Sequence, residues 1–90
     1  MAAAARSGVD NAGGGLIIAN TVRTVFVNGS PIALEFDAIA SHGTDLHAAS
    51  SIVSGSITVI ANGMPVARLG DPTTCGHPIA TGSPNVIIGG

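Results

Sequence analysis

A ten-residue pattern built around Asn-Gly occurs twice in this chain of 90 residues. The first copy spans residues 28–37 and the second spans residues 62–71, so the offset is 62 − 28 = 34 residues. Both copies carry Asn, Gly, Pro, Ala and Asp at matching places. A repeat of this period indicates one supersecondary unit that the chain uses more than once.

β-Prone runs lie on both sides of each Asn-Gly pair. Such runs fill residues 21–36 around the first pair and residues 56–69 around the second. A type I′ turn requires positive φ at both central residues, which makes Asn-Gly flanked by such runs the strongest short hairpin signal. The sequence therefore predicts two β-hairpins.

The two ends of the chain predict a third unit of the same kind. Residues 83–90 resemble the strand before each Asn-Gly turn, and Ala3–Arg6 resembles Pro65–Arg68. We therefore predict that the N-terminal strand pairs with the C-terminal strand. The predicted units, within a single domain covering 1–90, are about 1–29, 30–63 and 64–90. Three similar units favour approximate threefold symmetry, with hairpins at the wide end and the Gly/Ser/Thr-rich connectors at the other.

The composition leaves few ways to stabilise such a domain. The chain has two phenylalanines, no tyrosine or tryptophan, and one cysteine, which excludes an internal disulfide. Domains this small usually need a disulfide, a metal ion or a partner surface. A metal ion or an oligomeric contact is therefore expected.

All three histidines and the cysteine lie in two connectors that follow the Asn-Gly hairpins. His42 and His47 lie after the first hairpin, and Cys75 and His77 lie after the second. Imidazole nitrogen and thiolate sulfur are ligands that zinc prefers, and structural zinc is nearly always four-coordinate. The four side chains therefore predict one structural Zn²⁺ ion. The alternative is a set of solvated loop histidines with a buried free cysteine.

Other classes of function find less support in the sequence. A full set of three histidines and one cysteine leaves no open position for catalysis, and Glu35 lies in a predicted strand, so we expect no enzyme. Asp45 is either solvated or a hydrogen-bonding partner of a histidine. The net charge of −2 argues against nucleic-acid binding. Residues 1–6 lack the order of a signal peptide, so export would require another machine.

Residues 57–90 closely resemble the PAAR-repeat signature. Pro65–Arg68 matches its Pro-Ala-Ala-Arg tetrapeptide with Val at the second position, Pro31–Leu34 is a more degraded copy, and Ala3–Arg6 keeps Ala-Ala-Arg. One departure is the connector at residues 10–15, which has no ligand where members of this family often place a histidine.

The resemblance implies an all-β fold, a small pseudo-threefold cone of hairpins with zinc near its vertex. Three histidines and a cysteine hold that zinc in the family, which matches His42, His47, Cys75 and His77 in ligand type. Such proteins form the membrane-piercing tip on the blunt end of a trimeric β-helical spike, VgrG-like or a phage central spike, one tip per trimer. The resemblance places the chain at the spike tip, in a virion baseplate or in bacterial cytoplasm before ejection.

Several alternatives stay open at this point. The chain could be an adaptor that links a separate effector to the spike, a small zinc enzyme, or a free-standing oligomeric binding module. The sequence also does not distinguish a type VI secretion system from a contractile phage tail.

Overall fold

The computed structural model describes residues 2–43 and 49–89, and this part of the chain contains strands and turns but no helix. Its strands in chain order are β1 Ala2–Ala3, β2 Asn11–Ala12, β3 Gly15–Ile18, β4 Phe26–Val27, β5 Ser30–Pro31, β6 Ala38–Ile39, β7 Ser50–Ser51, β8 Ile60–Ala61, β9 Met64–Pro65 and β10 Ile87–Ile88. The predicted all-β class is confirmed. Within the described ranges, therefore, no helix has the length and apolar character needed to cross a membrane.

Both Asn-Gly hairpins are present. β4 pairs with β5, and β8 pairs with β9, in antiparallel register. Asn28 and Gly29 have φ of 54° and 81°, and Asn62 and Gly63 have φ of 52° and 78°. Positive φ at both central residues is the requirement of the type I′ turn, and it explains why Asn-Gly occupies these positions.

The two ends of the chain also pair. β1 runs antiparallel to β10, with Ala2 opposite Ile88 and Ala3 opposite Ile87. The next residue, Ala4, donates its N–H to the carbonyl of Val86 at 2.9 Å. The same bond occurs in the other two hairpins, from Ile32 to Val25 and from Val66 to Val59, both at 3.0 Å. The predicted third hairpin therefore has the hydrogen-bond pattern of the first two.

The strands are shorter than the sequence predicts. The runs at residues 21–27 and 56–61 form hairpin strands only over their last two residues, with one further hydrogen bond at Val25 and at Val59. Each return strand leaves its hairpin early and pairs with the next unit. These cross-unit bridges join Ala4 to Arg68, Arg6 to Ile32, and Leu34 to Val66. Pairing between units thus replaces the longer hairpins.

Three alanines lie at the centre of this cross-unit layer. Ala5, Ala33 and Ala67 are each fully buried. The N–H of Ala33 donates to Ala5 at 3.0 Å, that of Ala67 to Ala33 at 2.9 Å, and that of Ala5 to Ala67 at 3.1 Å. The three bonds form a closed ring of backbone hydrogen bonds with approximate threefold symmetry.

The core continues on one side of the alanine ring. Ile17, Ile52 and Ile79 are buried there, and their N–H groups donate to the carbonyls of Asp10, Asp37 and Asp71, all at 2.9 Å. The next equivalent positions, all buried, are Ala12, Ile39 and Thr73. The connector at 10–15 and the two ends of the connector at 38–51 contribute strands, because β2, β3, β6 and β7 form a four-stranded sheet.

Each unit contains one buried aspartate that holds its own turn. Asp10 pairs with Arg6 at 2.9 Å, and Asp71 pairs with Arg68 at 2.9 Å. The carboxylates also accept the N–H groups of these arginines, at 2.8 and 2.7 Å. The same geometry in both units explains why each has an arginine and an aspartate at these places.

Unit two has no arginine at the equivalent position, which is Leu34. Its aspartate, Asp37, is instead paired with the buried Arg23, which lies upstream of the first hairpin. A buried carboxylate without a counter-charge would cost several kcal/mol. Arg23 therefore replaces the missing arginine of the repeat, a role that the sequence analysis did not foresee.

Phe36 occupies a backbone position that favours glycine. Its φ is 75°, and the equivalent residues, Gly8 and Gly70, have φ of 78° and 91°. The N–H groups of all three donate to the equivalent isoleucines of the core. A bulky side chain in the left-handed region costs about 1–2 kcal/mol. Phe36 nevertheless has 57% of its surface exposed, so that burial does not compensate for this strain.

We predict that Phe36→Gly raises Tm by about 4–8 °C, because relief of strain exceeds the entropy cost of glycine by about 1 kcal/mol. Phe36→Ala keeps the strain and serves as the control, with no comparable gain. Gly70→Ala introduces the strain and should lower Tm. Thermal unfolding in saturating zinc measures all three, and a Phe36→Gly variant that is less stable than the wild type would contradict the interpretation.

Candidate metal centre

His42 follows β6 and is oriented by a backbone contact. Its Nδ1 lies 2.9 Å from the carbonyl oxygen of Ala40, which places the ring hydrogen on that nitrogen. Nε2 is then the ring nitrogen that faces Sγ of Cys75, at 3.5 Å. A histidine that ligates a metal is typically held in this way through its other nitrogen.

Cys75 and His77 lie in one tight turn of the third unit. The N–H of Gly76 donates to Thr73 at 3.0 Å, with Gly76 at φ of 91°. The hydroxyl of the buried Thr73 donates to the carbonyl of His77 at 2.6 Å and lies 3.2 Å from Sγ of Cys75. This turn, with Gly76 between the two residues, directs Cys75 and His77 to the same side.

The three side chains form a compact group. Nε2 of His42 and Nδ1 of His77 are 3.3 Å apart, and Sγ of Cys75 lies 3.5 Å from the first and 3.7 Å from the second. Tetrahedral zinc with ordinary bond lengths separates two nitrogens by about 3.3 Å and nitrogen from sulfur by about 3.6 Å. The donor set and its spacing therefore fit three corners of a zinc tetrahedron.

Hydrogen bonding favours the thiolate at this site. Burial raises the pKa of Cys75, but hydrogen bonds with Ser50, Thr73, the backbone of His77 and His42 outweigh it and lower the pKa from 9.0 to about 5. The bond to Ala40, followed by the contact with Cys75, raises the pKa of His42. Cys75 is thus ionised at neutral pH, in the form that binds metal.

Three of the four predicted ligands are brought together in the structure, namely His42, Cys75 and His77. His47, the fourth, lies outside the described residues, as does Asp45. Two units contribute to this group, since His42 follows β6 of unit two and Cys75 and His77 lie in unit three.

Thr73 and Ser50 are site residues that sequence analysis missed. Both are buried, and both hydrogen-bond to Cys75. Thr73 replaces an apolar side chain, since Ala12 and Ile39 occupy the equivalent positions of the other units. A threonine at a position that is apolar in the other two units indicates a site residue, but it can be recognised only once the three connectors are aligned.

We predict that Cys75→Ser abolishes zinc binding and lowers Tm by about 10–20 °C in zinc at a hundred times the wild-type Kd, because binding at that excess contributes about 2.7 kcal/mol. Chelator should lower Tm of the wild type by a similar amount and leave Cys75→Ser unchanged. A wild-type Tm that does not respond to chelator would refute the stabilising role of the metal.

Comparisons with known proteins matched a family model and curated relatives. A family model described as the PAAR motif matches residues 42–90. Two curated toxins of Pseudomonas aeruginosa are each 54% identical to this chain over 39 residues, which is 43% of the chain. They are the NAD(P)(+) glycohydrolase toxin Tse6 of strain PAO1 and the (p)ppApp synthetase toxin Tas1 of strain UCBPP-PA14. The match covers only 9% of the length of each toxin.

Proposed function

Because the chain belongs to the PAAR motif family, we propose that it is a non-enzymatic tip that caps the trimeric β-helical spike of a contractile injection machine, such as a type VI secretion system. The observation that carries the proposal is the closed ring of Ala5, Ala33 and Ala67. Because the ring repeats the same backbone bonds three times, a single chain presents three similar surfaces. Such a monomer can match a threefold partner.

The hairpins supply a contact surface of the required symmetry. Phe26, Ile60 and Ile87 occupy equivalent places on them and are 59%, 56% and 53% exposed. The next residue in each strand is buried, so the exposed three project from the outer side of the hairpins. We name Phe26, Ile60 and Ile87 the hairpin ring. A partner seated on this ring would cover apolar surface and unpaired strand edges together.

The metal site and the hairpins lie beside different clusters of the apolar core. The hairpins pack on Val27, Ala61 and Ile88, which belong to one cluster, whereas Ile39 and Ile79 beside the metal site belong to another. A metal and a partner can therefore bind at separate places.

Zinc is the ion that we propose for this site, with His47 as the fourth ligand. Bound zinc would supply a tetrahedral crosslink between connectors of units two and three. His42 and the Cys75–His77 turn are already oriented by Ala40 and Thr73, so the protein supplies a largely preformed site. A complete set of four protein ligands leaves no position for substrate, which is the basis for proposing no enzymatic role.

The position of such a tip sets where it acts. We place it at the end of the injection tube, loaded in the bacterial cytoplasm before ejection or carried on a virion baseplate. Its contact with a target membrane would be brief and mechanical.

We predict that Ile60→Asp weakens binding to a trimeric β-helical spike fragment more than tenfold, because a charge would be desolvated in the contact. Ile18→Asp is the matched control, since Ile18 is 48% exposed but lies on β3, away from the hairpin ring. Titration of each variant against the fragment measures the effect. Equal loss with both variants, or no loss with Ile60→Asp, would count against the hairpin ring as the contact.

An adaptor role is the second candidate, and one departure from threefold symmetry favours it. Leu16, Ile18 and Phe36 are 44%, 48% and 57% exposed along one side of the sheet. Ile18 pairs with Ala38, and Asn20 donates to the carbonyl of Phe36 at 2.8 Å, so these segments run side by side. The positions equivalent to Phe36 are glycines. The other two units have no aromatic side chain at this place, so this apolar flank would suit one copy of an effector, and the curated relatives are toxins.

We predict that the same two variants separate binding of an effector from binding of the spike. If the chain carries an effector on this flank, Ile18→Asp should release co-purifying effector while spike binding stays at the wild-type level. Ile60→Asp should do the reverse. Affinity purification from the producing cell, with effector and spike quantified separately, measures both. Wild-type capture of effector by Ile18→Asp would exclude the flank as its binding surface.

A further inference from the structure

The β2–β3 hairpin of unit one lies against the metal site but offers it no ligating side chain. A Cβ atom added at Gly13 would overlap Nδ1 of His77, and one added at Gly15 would overlap the carbonyl oxygen of Ala40 and lie 2.6 Å from Nδ1 of His42. All three separations would be shorter than 3.0 Å, which Cβ atoms in proteins essentially never show. The backbone of unit one therefore lies close against both histidines.

The adjacent glycine shows that this contact is specific. Gly13 and Gly14 form the turn between β2 and β3, with φ of 60° and 92°, so both require the left-handed region. A Cβ at Gly14, however, would meet nothing within 4 Å. Turn geometry explains glycine at both positions, but only Gly13 also lacks space for a side chain.

The hairpin cannot move away from the ligands without loss of other contacts. Ala12 pairs with Ile79 across units, and the carbonyl of Asn11 accepts the N–H of Ala80 at 2.7 Å. Ile79 lies two residues after His77, so these bonds fix the distance between the hairpin and the ligand turn. An added Cβ at Gly13 would therefore displace the imidazole of His77 and not the hairpin.

Gly15 acts on the other histidine by the same principle. The oxygen that its Cβ would strike belongs to Ala40, which is the group that orients His42. One added carbon would thus disturb both the imidazole and its acceptor.

We propose that Gly13 and Gly15 are positioning residues of the metal site, a floor without Cβ atoms that sets where the imidazoles of His77 and His42 lie. This inference rests on the proposed zinc site. It gives unit one a part in that site through the absence of side chains, and it accounts for the lack of a ligand in residues 10–15.

The test compares Gly13→Ala with Gly14→Ala in the full chain. Both variants place alanine at a positive φ, so each metal-free protein should lose some stability, and that loss is measured separately from metal binding. Zinc affinity, measured by competition with a chromophoric chelator, should fall about 10- to 100-fold in Gly13→Ala relative to Gly14→Ala, the usual effect of residues that orient metal ligands. The d–d absorption of bound Co²⁺ should also change in Gly13→Ala alone, since it reports on tetrahedral geometry.

Equal zinc affinity and identical Co²⁺ spectra in the two variants would overturn the proposal. If Gly13→Ala does not fold, Gly15→Ala provides the test, because Gly15 has no positive φ; a wild-type affinity there would overturn the floor. If the wild type itself binds neither ion, the zinc site fails and the floor with it. That result is distinct from a wild type that binds normally and a Gly13→Ala variant that binds equally well.

Discussion

A closed ring of three backbone hydrogen bonds determines the architecture of this protein. The bonds between Ala5, Ala33 and Ala67 bring three segments to one axis, where only a small side chain is present in each. Because the chain has so few bulky residues, it cannot rely on a large apolar core. Backbone hydrogen bonds between units, repeated around the ring, therefore stabilise the fold as side-chain packing does in larger domains.

The two sides of this ring differ in symmetry. On one side, the hairpins keep the threefold pattern and display three equivalent apolar residues. On the other, the symmetry is broken, since the unit-one connector has glycines where units two and three have ligands. The fold thus combines a symmetric surface, which in the proposed function would contact a trimer, with an asymmetric site, which would hold one metal ion. The apolar flank near Phe36 is a second break in symmetry, since glycines occupy the two equivalent positions, and the proposed adaptor role depends on it.

The sequence predicted the parts of the structure that depend on local chemistry. Asn-Gly at 28–29 and 62–63 specified the turns, and the residue types of His42, Cys75 and His77 identified the candidate ligands. The parts that it did not predict depend on how units face one another. Arg23 pairs with Asp37 only because Leu34 takes the place of an arginine, and Gly13 reveals its role only once His77 is seen beside it.

The proposed metal ion is central to this account, since it would join connectors that the ring does not hold. X-ray absorption at the zinc edge, together with elemental analysis of untagged protein as purified, tests that claim most directly. The account predicts one zinc per chain with one sulfur and three nitrogen neighbours. A folded protein that contains no transition metal, or a zinc ion bound mainly by oxygen, would contradict it.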